Sequence, residues 1–125
     1  MIKTIMFGDK PVEFCTSFAW TFIYKSQFKR DPAKLLMPAI VMARNEAEEG
    51  GELDLKEEKA AFLFYAEIGF TGLAEIAWAM AKLADNDVPE PMAWIASYGD
   101  DFNAADLLEE LLPEIIDSCL TSKKA

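Results

Sequence analysis

The chain contains no histidine. That absence removes the commonest general base and the commonest metal ligand among the side chains. Cysteine is scarce. Cys15 and Cys119 lie far apart, and no histidine is available to activate either thiol. They read as free thiols in a reducing compartment, not as a disulfide framework. There is no CxxC pair, no glycine-rich phosphate loop and no GxSxG. No apolar run approaches the ~18 residues that would cross a bilayer. The first residues, MIKTIMFGDKP, lack the apolar core and small-residue cleavage site of a signal peptide. These absences point away from an enzyme, from a cofactor or metal protein and from a membrane protein. The expected compartment is a cytoplasm.

What is present is apolar. Of 125 residues, 52% are hydrophobic and 12% aromatic, enough for a single domain over 1–125 with a real core. The net charge is −10, unevenly placed. Residues 1–45 hold seven Lys/Arg against three Asp/Glu, a balance of +4, and residues 46–125 hold five against nineteen, a balance of −14. The acidic part disfavours binding of nucleic acid through its phosphates. The basic cluster Lys25, Lys29, Arg30 and Lys34 is either a solvated face or a meeting point for an acidic partner. Salt-sensitive self-association through the two unlike regions is a further expectation. Neighbouring acids such as Glu57/Glu58 and Glu109/Glu110 diverge by about 100° on a helix, so they do not share a site. Asp85-Asn86-Asp87 echoes the start of a calcium loop, but Ala96 stands at the twelfth position where glutamate is needed.

Residues 3–16 read as a β-hairpin. KTIMFG and PVEFCT are short and rich in β-formers, and Gly8-Asp9-Lys10 between them is turn chemistry. The rest, 17–120, reads as helical. Ser17 is the expected N-cap of a helix over 18–30, with Phe18, Phe22, Ile23 and Phe28 along one stripe and Trp20 and Tyr24 along another. Asp31-Pro32 starts the next helix, which runs to about residue 48, with Pro38 as a bend. Residues 46–54, EAEEGGELD, form an acidic loop. Asp54 and Glu57 make a capping box for a helix over 55–68, and Gly69 follows at its C′ position. A short helix over 92–97 precedes a break at Gly99-Asp100-Asp101. Asn103 caps the last helix, whose stripe is Leu107, Leu108, Leu111, Leu112, Ile115, Ile116, Cys119 and Leu120, with Pro113 expected to kink it. Residues 121–125 are a polar, frayed tail. The expected fold is mainly α: a compact bundle of five to six helices with a small N-terminal β-hairpin.

The stretch 71–85, TGLAEIAWAMAKLAD, is capped by Thr71 and apolar nearly all round. Leu73, Ile76, Met80 and Leu83 make one side, and Ala74, Trp78 and Ala81 another. The first side is core. The second is covered either by Trp94 and the last helix or by a partner. Trp78, Trp94, Tyr98 and Phe102 fall close together with Met80 and Met92 among them, and Trp20 and Tyr24 form an earlier aromatic pair. Such residues are either core or an adaptable partner-binding face.

These residues resemble a known family. The hairpin around Gly8-Asp9-Lys10, YKSQFKRDP (24–32), AEIAWAMAKLAD (74–85), the Trp94–Tyr98 step and DLLEELLPEIID (106–117) are similar to the tail assembly chaperones of long-tailed phages and prophages of Gram-positive bacteria. Phe28, Arg30 and Asp31 match that family's F-x-R-D turn, with Lys29 where glycine is usual. Glu75, Ala77, Trp78, Met80, Ala81, Ala84 and Asp85 match its central helix. Pro38 and the acidic segment 46–58 have no counterpart. The resemblance implies a non-enzymatic protein without cofactor that coats the tape measure protein, keeps it soluble and helps the tail tube polymerise around it. It also implies a host cytoplasmic location and absence from the finished virion. In many such phages a programmed frameshift yields a longer form that recruits the tail tube protein. Lys123-Lys124 suits an adenine-rich slippery site, or is an ordinary charged tail. The competing readings are an acidic inhibitor that mimics DNA charge and a generic helical adaptor or other phage structural protein.

Overall fold

The computed structural model describes residues 1–33, 37 and 58–120, and at 58–68, 70, 108, 116, 117, 119 and 120 the backbone alone. The chain opens on an antiparallel hairpin of β1 (Ile2–Phe7) and β2 (Lys10–Cys15), with Ile5 opposite Val12 and Phe7 opposite Lys10. The turn is tighter than expected, because Lys10 belongs to the second strand and only Gly8-Asp9 lie between. Among the two, only Gly8 has positive φ, at 66°. That is the type II′ pattern, whose twist suits a two-residue hairpin. An ideal Cβ at Gly8 would stand 2.7 Å from Cγ of Asp101, so glycine also lets the turn approach the far end of the chain. Period-two alternation buries Ile5, Phe7, Val12 and Phe14 on one face.

Four α-helices follow among the described residues. They are α1 (Trp20–Phe28), α2 (Glu58–Ala84), α3 (Pro91–Tyr98) and α4 (Ala104–Leu120), with a 3₁₀ turn over Gly99–Asp101. The molecule is thus mainly helical with an N-terminal hairpin. Fewer helices than the expected five to six are described, partly because the one anticipated after Pro32 is mostly outside the described residues, and the two anticipated over 55–68 and 71–85 adjoin within α2. Their boundary survives as a kink at Gly69, with φ 79° and ψ 172°. Those angles lie outside the helical range, at the glycine expected to end the first of the two helices. They fall in a region essentially reserved for glycine. The helix expected from Pro32 to about residue 48, the Asp54 capping box, the acidic loop 46–54 and the 121–125 tail lie outside the described residues, apart from Pro32, Ala33 and Met37. There the Asp31 carboxylate accepts the N–H of Ala33 at 2.9 Å, as an N-cap should.

Helix α1 starts two residues later than expected. Ser17 to Ala19 form a lead-in turn, in which the Ser17 carbonyl accepts the Trp20 N–H. Lys29 ends the helix in the left-handed conformation, φ 62°, and donates its N–H to the Lys25 carbonyl. Asn103 caps α4 as expected, its Oδ1 accepting from the N–H groups of Ala105 at 2.9 Å and Asp106 at 3.2 Å. Pro113 does not end α4, which continues to Leu120. The carbonyl left without its intrahelical donor is that of Glu109, an exposed residue within reach of water.

The second half of α2 is the axis. From Ile76 to Ala81 every residue is buried, and α1, β2, α3 and α4 all pack against this helix. Ala77, Ala79 and Ala81 are small enough to let those neighbours approach on several sides. No helix among the described residues is long and apolar enough to cross a membrane. The kink carries a direct test. Among the described residues a Cβ at Gly69 would meet nothing within 4 Å, so the penalty expected for Gly69→Ala is conformational. It should destabilise the fold by about 1–3 kcal/mol in urea unfolding. A loss under about 0.5 kcal/mol, the range of a neutral surface change, would mean the kink relaxes without strain.

Candidate partner-binding site

The eight residues expected to meet a partner are not one surface. Trp20, Tyr24, Trp78, Met80 and Trp94 are buried in the core. Tyr98 and Phe102 are half-buried and packed on it. Only Met92 stands out, 79% exposed on α3. The reason is that each large ring has a partner within the fold.

Trp20 donates from Nε1 to Ser118 Oγ at 3.0 Å, joining α1 to α4. Trp78 donates from Nε1 to the Pro89 carbonyl at 2.8 Å and meets the Phe28 ring edge-on at 5.7 Å. Its cover is therefore internal: the end of α1 and the 85–90 loop, and not a partner. Trp94 belongs to a second cluster, with Phe7 and Phe14 of the hairpin and Tyr98 and Phe102. These rings meet tilted or edge-to-face, the arrangement favoured by the aromatic quadrupole. They attach the hairpin to α3, and Lys10 adds a cation over the Tyr98 ring. A lone hairpin is marginal in water, and this cluster supplies the cover that it needs.

The polar centre of the molecule is Glu75. One oxygen of its carboxylate accepts from the Tyr24 hydroxyl at 3.2 Å and from Arg30 Nη2. The Arg30 guanidinium also lies over the Tyr24 and Phe28 rings. Its ionised form is favoured further, first by the Tyr24 phenol beside it. Burial pushes the Tyr24 phenol above its ordinary value, with the Glu75 charge adding to the rise and Arg30 opposing it. The phenol stays protonated and remains a donor. Chemically this arrangement locks α1 to α2, with the carboxylate oxygen shared by two donors.

The loop that echoes a calcium site carries its own cation. Lys82 Nζ donates to the carbonyls of Asn86 and Val88, both at 2.7 Å, while the Asp85 carboxylate accepts the Asp87 N–H. Two of the ammonium's three donors thus serve carbonyl groups of the turn. Among the described residues no group of three or more Cys, Asp or Glu is placed to hold a metal ion.

The exposed apolar side chains are others: Met1, Ile2 and Met6 of the hairpin's outer side, Met37, and above all Phe18 and Phe22. Phe18 and Phe22 were expected on one stripe with Ile23 and Phe28, which are half-buried against the core. Trp20 and Tyr24 point inward, and Phe18 and Phe22 face out, 53% and 72% exposed, with their rings edge-on at 6.3 Å. The sequence held one signal for this. A buried Trp or Tyr needs a polar partner for its tip, and Ser118 and Glu75 are available, whereas Phe needs none.

No family model, no curated protein and no solved structure matches the chain.

Two measurements follow. Trp94→Ala should cost about 3–5 kcal/mol of stability as a core truncation, while Met92→Ala should change it by less than about 0.5 kcal/mol. Equal effects in urea unfolding would contradict these placements. The Tyr24 pKa is raised in the folded state above the ordinary value of 10.0, chiefly by burial. Its contribution is therefore complete below pH 10 and lost as pH rises through the higher folded value. The native chain should lose stability faster above pH 10 than Tyr24→Phe does. Parallel curves would mean that Tyr24 titrates alike folded and unfolded.

Proposed function

We propose that the chain is a tail assembly chaperone of a long-tailed phage or prophage of a Gram-positive host, acting without catalysis or cofactor. One observation supports this reading above others. The residues that carry the resemblance are distant in sequence, yet they converge. Phe28 lies edge-on to Trp78, Arg30 pairs with Glu75, and Lys29 between them holds φ 62°, a conformation natural to the glycine that the family usually has there. A motif whose parts meet in three dimensions describes a shared way of building a domain. The Phe7–Trp94–Tyr98–Phe102 cluster gives the hairpin and the tryptophan step a common purpose in the same way.

On this reading the helical domain binds the tape measure protein in the host cytoplasm. It keeps that long helical chain soluble and promotes tube polymerisation around it. A frameshifted longer form recruits the tail tube protein, and neither form stays in the virion. A net charge of −10 suits a protein that must hold an aggregation-prone partner in solution.

The test is co-expression with the tape measure protein encoded beside it. The soluble fraction of the tape measure protein should rise severalfold, and the two should co-purify. Unchanged solubility, with no co-purification, would end the proposal.

A further inference from the structure

Two exposed helix faces of this chain complement each other. Phe22 and Lys25 lie three residues apart on one side of α1, flanked by Phe18 of the lead-in turn, whose ring meets that of Phe22, and by Lys29 at the left-handed cap, and all four are exposed. The exposed strip is apolar at its N-terminal end and basic at its C-terminal end. On α3, Met92, Ala93 and Ala96 are exposed on the side away from buried Trp94. The turn before that helix exposes Asp85, Asp87 and Glu90. This second face is apolar along the helix and acidic at its N-terminal end.

We propose that the α1 stripe of one copy docks on the α3 face of a second copy. The helices run antiparallel. Phe18 and Phe22 lie over the shallow surface left by Ala93 and Ala96, with Met92 against a ring edge, a favourable sulfur–aromatic contact. Lys25 and Lys29 then reach Asp87 and Glu90. The charges argue for a second copy over a chance apolar partner, because both halves of the pattern, apolar next to charged and of opposite sign, are carried by this chain. The acidic back of α4 is a poorer site. Its exposed residues include Asp106 and Glu109 but no large apolar side chain among those described.

The contact is heterologous, since the two faces differ. It builds a head-to-tail chain or ring and not a two-fold dimer. One helix face on each side is a small interface, so the association is weak and reversible. Net charge works against it at the lowest salt, as copies of charge −10 repel at long range. At about 0.1 M salt that repulsion is screened beyond about 10 Å, while ion pairs in contact persist. The inference stands apart from the chaperone reading, since it concerns only this chain with itself.

Sedimentation equilibrium of the whole chain tests it. The expected result is a weight-average mass that climbs with concentration at about 0.1 M salt and less steeply at about 0.5 M. Phe22→Ser and Met92→Ser, on opposite sides of the contact, should each weaken association about tenfold with no change in thermal midpoint. Lys25→Glu/Lys29→Glu should abolish association alone and regain it when mixed with Asp87→Lys/Glu90→Lys. A single monomeric species at all concentrations overturns the proposal. So does association that survives both serine variants, or charge-reversed variants that fail to pair on mixing. A lowered thermal midpoint in Phe22→Ser also overturns it, since the ring would then be covered within its own chain.

Discussion

A helix with no face left for water must be covered on every side, and this condition governs the molecule. From Ile76 to Ala81 the second half of α2 is buried throughout. A chain of 125 residues has few elements with which to wrap it. Helix α1 and the 85–90 loop cover Trp78, β2 and α4 take further sides, and α3 closes over the hairpin. Each cover is itself amphipathic, so each brings its own apolar face to bury. The alanines at 77, 79 and 81 make this possible. Larger residues there would hold the neighbours apart, and overpacking a tight core costs about 1–3 kcal/mol.

The polar contacts occur where this wrapping would otherwise strand a donor. Indole and phenol groups bring apolar bulk into the core together with a tip that needs a partner. Trp20 finds Ser118, Trp78 finds the Pro89 carbonyl, and Tyr24 finds Glu75. An unmet buried donor would cost about 1–3 kcal/mol. These bonds therefore select among arrangements that hydrophobic burial alone leaves nearly equivalent. They link residues 98, 11 and 51 apart. The aromatic tips, more than the aromatic bulk, fix which elements sit against which.

The same distinction separates what was legible in the sequence from what was not. Local chemistry announced itself: Gly8 at the hairpin turn, Asp31 and Asn103 as caps, Gly69 between two helical stretches. In each case the physics lies within a few residues. The all-apolar character of 71–85 likewise marked the buried axis. The orientation of α1 was not legible by counting apolar residues, since it carries aromatic residues on both stripes. Nor was the cover of Trp78, since Phe28 lies fifty residues upstream and nothing local indicates that it returns. The aromatic and methionine residues expected to meet a partner are dispersed for the same reason. A run of Trp, Tyr and Met looks adhesive in one dimension, but its members point in different directions and are claimed by the hairpin, the loop and the helices.

What remains on the outside after this wrapping is informative, because burial has already claimed the residues it can use. Phe18 and Phe22 belong to a helix whose inner stripe is satisfied by Trp20, Tyr24 and Phe28, so turning them inward would evict those rings and break their bonds. Their exposure is a consequence of the core being complete. Scattered single apolar side chains on a surface need no explanation. Two phenylalanines in ring contact at the start of α1, followed by exposed lysines in its last turn and at its cap in an acidic chain, are a pattern and not scatter. The rings with a polar tip are held inside by the bonds that tip makes, and the two phenylalanines, which have no such tip to satisfy, are the ones left at the surface.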